Sequence, residues 1–79
     1  MNLTPTRQSV LLVLTTEWQT PKQIADQLPE AGGNTSPVNE SLKDLMREGL
    51  VQANPIVFGM YRLTPNGMEI KVMKLDKNQ

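Results

Sequence analysis

Along residues 34–51, "NTSPVNESLKDLMREGLV", the apolar residues Leu42, Leu45 and Met46 follow Val38 at offsets of 4, 7 and 8. That spacing gathers them on one side of a helix, whereas a strand would divide them between two faces. Asn39, Glu40, Lys43, Asp44 and Arg47 then fall on the outer side. Ser36-Pro37 supplies a cap followed by proline at the first helical position, with Thr35 as a competing cap one residue earlier. Gly49 suits the left-handed residue that ends a helix, and Leu50 beyond it can pack back on the last turn. The pattern predicts a helix over about 37–48.

The same start signal recurs upstream. Thr4-Pro5 opens a first helix that carries Val10, Leu11, Val13 and Leu14 inward and is expected to end near Thr16. Thr20-Pro21-Lys22-Gln23 opens a second, and adds a capping box because Gln23 can reach back to the Thr20 N–H. Its inward residues are Ile24, Ala25 and Leu28. Pro29 biases Leu28 away from helical geometry, and "PEAGGNT" provides a turn, so this helix is expected to be short.

After Gly49 the period changes. "LVQAN" and "FGMYRLT" are short, rich in β-branched or aromatic residues, and separated by "PIV", which predicts a two-stranded hairpin. Pro55 cannot donate to a ladder and belongs at the tip or on an edge. Thr64-Pro65 opens a fourth helix with Met68, Val72 and Leu75 facing inward, and the tail from Asp76 onward is expected to fray. Residues 1–75 read as one domain, α+β and mostly helical: three helices, a two-stranded hairpin and a C-terminal helix.

Composition narrows the chemistry. With 79 residues the chain buries about 60–65% of its unfolded surface, so most of its larger apolar residues are needed in the core. It has no cysteine, which removes disulfides and thiolate metal sites, and no histidine, which removes the commonest general base. Its carboxylates are scattered among opposite charges on helix faces. The residues therefore point to no enzyme, no metal and no cofactor. No apolar run reaches the roughly 18 residues of a membrane span, and a cytoplasmic protein without membrane contact is expected. Eight basic and eight acidic residues cancel, so any binding of nucleic acid must rest on local charge.

Two short helices joined by a turn and followed by a hairpin make a helix-turn-helix with a wing. The segments "TPKQIADQL", "SPVNESLKDLMREGLV" and "YRLTPNG", in this order and spacing, resemble the winged helix-turn-helix regulators of the multiple-antibiotic-resistance-regulator and arsenic-repressor type. The resemblance covers about residues 4–72. It implies that Val38, Leu42 and Leu45 are core positions and that Ser36, Asn39 and Lys43 stand where such proteins touch DNA. It also implies that Thr20, Lys22 and Gln23 approach a phosphate through backbone N–H groups, and that Arg62 flanks the duplex from the wing.

The residues themselves leave the outer face of helix three open to two readings. Thr35, Ser36 and Asn39 are short polar groups able to approach base edges, and Lys43 and Arg47 follow at one-turn intervals for phosphate or guanine. Equally, Glu40, Lys43, Asp44 and Arg47 make neighbouring-turn pairs that would support any exposed helix. One expectation is thus a regulator that binds double-stranded DNA as a homodimer, with half-sites about one helical turn apart. The alternative is a protein-interaction module using the apolar hairpin tip Ile56, Val57 and Phe58, motivated by zero net charge and the acids on helix three. Trp18 and Tyr61 are expected at the core or its edge rather than as base-stacking platforms.

Overall fold

The computed structural model describes residues 4–76, with the side chains at 30, 75 and 76 excepted. The order is α1 (Pro5–Val13), α2 (Pro21–Asp26), a single 3-10 turn (Pro29–Ala31), α3 (Ser36–Arg47), β1 (Val51–Ala53), β2 (Tyr61–Leu63) and α4 (Pro65–Asp76). The strands pair antiparallel, with Val51 opposite Leu63, Gln52 opposite Arg62 and Ala53 opposite Tyr61. Leu75, expected to face inward, lies outside the described side chains; of the tail expected to fray from Asp76 onward, Asp76 is the last residue of α4, and 77–79 lie outside the described residues.

Threonine-proline starts explain three of the four helices. Thr4 Oγ1 accepts from the Arg7 N–H at 3.2 Å, and Thr64 Oγ1 accepts from the Gly67 N–H at 3.0 Å. Thr20 and Gln23 form the full capping box. The cap of α3 differs from expectation. Ser36 is its first helical residue and Thr35 its cap, yet neither hydroxyl closes the first turn. Thr35 already has helical backbone angles (φ −84, ψ −13), which deny its side chain the extended geometry a cap needs. Asn34 serves instead, its Oδ1 accepting from the Ser36 N–H at 3.0 Å.

α1 and α3 pack along each other, and Val10, Leu11 and Leu14 meet Val38, Leu42 and Leu45 in a core completed by Ile24, Leu28, Leu50, Val51 and Leu63. Each fully buried leucine or valine contributes about 1.5–3 kcal/mol relative to exposure. Gly49 (φ +77) ends α3: its N–H donates to the Met46 carbonyl, and the Leu50 N–H donates to that of Leu45 at 2.9 Å. This closure turns Leu50 into the core and launches β1.

Three further expectations are corrected. The first helix stops at Val13 rather than near Thr16, with Leu14 extended (φ −65, ψ 148). The chain is drawn into the sheet there: Thr15 C=O accepts from the Leu63 N–H, and Gln19 exchanges both backbone bonds with Tyr61 at 2.8 Å. The hairpin is also shorter than expected, because Phe58 belongs to the tip and not to a strand. Asn54 Oδ1 accepts from the N–H groups of Ile56 (2.8 Å) and Val57 (2.9 Å), and Gly59 takes φ +82, so the turn extends across residues 54–60. Finally, Val72 is 47% exposed rather than inward-facing. The rotation of α4 is set by buried Gly67, where any Cβ would overlap the Leu50 carbonyl, and by Lys71, whose Nζ donates to the Leu14 carbonyl at 2.7 Å. With those two positions inward, Met68 and Ile70 flank the contact and Val72 turns out.

Candidate nucleic-acid interface

The outer side of α3 carries Ser36, Asn39, Glu40, Lys43 and Arg47, all exposed, opposite the buried row Val38, Ser41, Leu42 and Leu45. Ser36, Asn39, Lys43 and Arg47 therefore share one solvent-facing surface, and Thr35 stands half-buried at its leading end.

The charge on that surface differs from a simple count. Asp44 is paired by the Arg7 guanidinium, which reaches across from α1, and by Arg47 of the next turn at 3.6 Å. Two cations thus answer one of the two acids that the bare sequence sets against phosphate. Among the described residues no carboxylate pairs with Lys43. With Arg7 counted, three cations stand against Glu40 and Asp44 around the second and third turns of α3, while its first turn offers neutral hydrogen-bonding groups.

At the start of α2, Thr20 and Gln23 are used by the helix itself. Gln23 Oε1 accepts from the Thr20 N–H at 2.9 Å, and Thr20 Oγ1 accepts from the Gln23 N–H at 3.2 Å. Pro21 has no N–H. The Lys22 N–H and its ammonium group are what this terminus can offer an anion, the ammonium resting 3.3 Å from Asp26 across an exposed turn. An exposed pair of this kind contributes less than about 1 kcal/mol and exchanges readily.

Arg62, on β2, is half-buried, not extended into solvent. Its guanidinium carbon lies 4.2 Å from the centroid of the Trp18 ring. Ile56 and Phe58 at the hairpin tip are 86% and 98% exposed. From residue 49 to residue 61 the chain carries no charged side chain.

Sequence reasoning missed Arg7 and Gln52, and it read Trp18 as a core or core-edge residue without its stack on Arg62. The Gln52–Arg62 pairing was open to inference, since a hairpin register places them opposite each other. Arg7 and Trp18 act through contacts distant along the chain, which no local period records.

No family model matches the chain, and no curated protein matches it. Among solved structures it is similar to the complex structure of hsRosR-S4, with TM-score 0.82 and 28% identity over 98% of this chain and 71% of that one. The complex structure of hsRosR-S1 gives TM-score 0.81 and 28% identity over 96% and 72%. A structure of H. salinarum RosR grown from NaBr gives 0.77 and 27% over 98% and 74%. With four helices and one antiparallel hairpin, the chain has the winged helix-turn-helix fold.

Proposed function

We propose that the protein is a small sequence-specific transcription regulator that binds double-stranded DNA in the cytoplasm, belonging to the type its motifs resemble. Helix α3 enters the major groove, as the second helix of such a pair does. The observation that carries this reading is the unobstructed row Ser36, Asn39, Lys43 and Arg47, beside an Asp44 already answered by Arg7. Thr35, Ser36 and Asn39 approach base edges; Lys43 and Arg47 take phosphates. The likeness to the RosR structures supports a DNA-binding transcription regulator.

One neutral module makes few phosphate contacts, and a homodimer reading two half-sites roughly 34–36 Å apart raises affinity. Helix α4 offers the surface for the second copy: Val72 and Met73, 47% and 60% exposed, point away from the core. Among the described residues no helix is long and apolar enough to cross a membrane, and nothing in this reading calls on catalysis or a cofactor.

The test is duplex binding as a function of salt, by anisotropy of a labelled DNA library and then of the selected site. Lys43→Ala weakens binding to all sequences and lowers the salt slope by about 0.9. Asn39→Ala costs about 1–3 kcal/mol at one base pair and relaxes selection there. Wild-type protein that shifts no duplex at low salt removes the proposal.

The hairpin tip favours a second reading, a protein-interaction module, because Ile56, Val57 and Phe58 present apolar surface on a turn whose N–H groups at 56 and 57 donate to Asn54. Capture of a protein partner that is lost in Phe58→Ser and indifferent to Lys43→Ala supports it. Capture that survives Phe58→Ser removes its basis.

A further inference from the structure

Trp18 is the one tryptophan of the chain, and it stands between α1 and α2 beneath the Arg62 guanidinium. On the neighbouring strand the Gln52 amide lies against the same group; assigned the orientation that hydrogen bonding demands, with its oxygen toward the guanidinium, it accepts from Arg62 Nε at 2.6 Å and Nη2 at 2.8 Å. A guanidinium has five N–H donors. One face is thus covered by indole and two donors are used, which leaves three for a further partner. Arg62 borders an open cleft of about 500 Å³ with Trp18 and Gln52, walled by Asn54, Pro55 and Ile56. Among the described residues it is the only charged side chain lining that cleft.

We propose that this cleft seats one phosphodiester of the DNA backbone, and that Trp18 and Gln52 are positioning residues that pre-set Arg62 to receive it. The proposal rests on the DNA-binding reading above. Three directed donors match two phosphate oxygens, and the planar fork favours a bidentate approach. Pro55 and Ile56 offer apolar wall to the adjoining deoxyribose. Holding the arginine in advance removes rotamer freedom that an untethered side chain would lose on binding. A latch that merely tied the wing to the α1–α2 connection would stabilise the fold without contributing to the salt dependence of binding.

The experiment measures the salt slope of duplex binding for wild type, Arg62→Met, Trp18→Leu, Trp18→Phe and Lys43→Ala. Arg62→Met is expected to lower the slope by about 0.9, the contribution of one phosphate. Trp18→Leu, with Arg62 still present, is expected to lose the same amount, and Trp18→Phe to restore most of it. A folded Trp18→Leu protein with the wild-type slope overturns the positioning role while leaving DNA binding by α3 intact, as loss in Lys43→Ala would show. Should Trp18→Leu fail to fold, the emission of Trp18 in the wild type decides: saturating duplex is expected to change it, and unchanged emission overturns the proposal. An equal change with millimolar inorganic phosphate alone overturns the assignment to a duplex backbone. Wild-type protein that binds no duplex at any salt removes the reading and this proposal together.

Discussion

Helices α3 and α4 are each 12 residues long, and each begins beside a threonine with proline in its first turn, yet they turn opposite chemistries to the outside. α3 buries Val38, Leu42 and Leu45 and exposes Asn39, Glu40, Lys43 and Arg47. α4 keeps Lys71 and Lys74 half-buried and exposes Val72 and Met73. In α3, the buried row Val38, Leu42 and Leu45 sets the rotation of the helix. In α4, a backbone contact at Gly67 and one hydrogen bond from Lys71 set it, and apolar residues are left outside. A surface of the first kind suits water or a polyanion; one of the second kind suits another protein surface.

The sharpest break between the two helices comes from truncating equivalent apolar residues. Leu45→Ala opens a cavity in the core and is expected to cost about 3 kcal/mol. Val72→Ala removes a side chain that is already half in water, and is expected to change the stability of the isolated chain by less than about 0.5 kcal/mol. Urea melts of the two variants at low protein concentration measure both. Similar losses would mean that α4 is anchored by its apolar residues after all.

Gly67→Ala tests the other half of the contrast. Helix propensity favours alanine by about 1 kcal/mol, but here the added methyl meets the Leu50 carbonyl, a backbone group that cannot rotate aside. Overpacking of this kind costs about 1–3 kcal/mol or more, so a net loss of about 2 kcal/mol is expected in the same melts. A neutral or stabilised variant would show that α4 is free to shift, and that its outer face is not held in place.

These differences also mark what the sequence could reveal. The buried row of α3, its Gly49 stop and the capping box of α2 are local patterns, and all are present as expected. Helix α4 was misread at Val72 because its apolar residues suggest a stripe, while the deciding contact, Gly67 against Leu50, joins two elements that no period connects. The end of α1 was misplaced for a related reason: Thr15 and Gln19 bond to β2, more than 40 residues later. At the candidate interface the outer residues of α3 were legible as a polar face. The neutralisation of Asp44 by Arg7 and the stacking of Arg62 on Trp18 were not, since each needs the tertiary fold to bring its partners together.

If the outer face of α4 receives a second copy of the chain, placing a charge on it should weaken assembly more than folding. Val72→Lys is expected to raise the dimer dissociation constant at least tenfold, which corresponds to about 1.4 kcal/mol, while the denaturation midpoint at low concentration hardly moves. Sedimentation equilibrium over a concentration series separates the two effects. A wild-type chain that stays monomeric throughout would remove the contrast in function and leave only the contrast in packing.

The smallest effect bears on the electrostatics of α3. Arg7 and Asp44 are both partly exposed, and pairs of this kind contribute about 0.2–1 kcal/mol, so Arg7→Leu is expected to lower stability by about 0.5 kcal/mol at low salt. Its consequence for binding is larger than that figure suggests. Without Arg7, the Asp44 carboxylate is left to Arg47 alone, 3.6 Å away, which draws that guanidinium toward its own helix and adds uncompensated negative charge beside Lys43. Duplex affinity is then expected to fall several-fold although Arg7 lies on α1, and Asp44→Asn added to Arg7→Leu should recover most of it, because the double variant restores the charge balance without restoring the pair. Anisotropy titrations of the two variants at fixed low salt make the comparison. If the second substitution recovers nothing, Arg7 acts by touching DNA itself, and the interface extends onto α1.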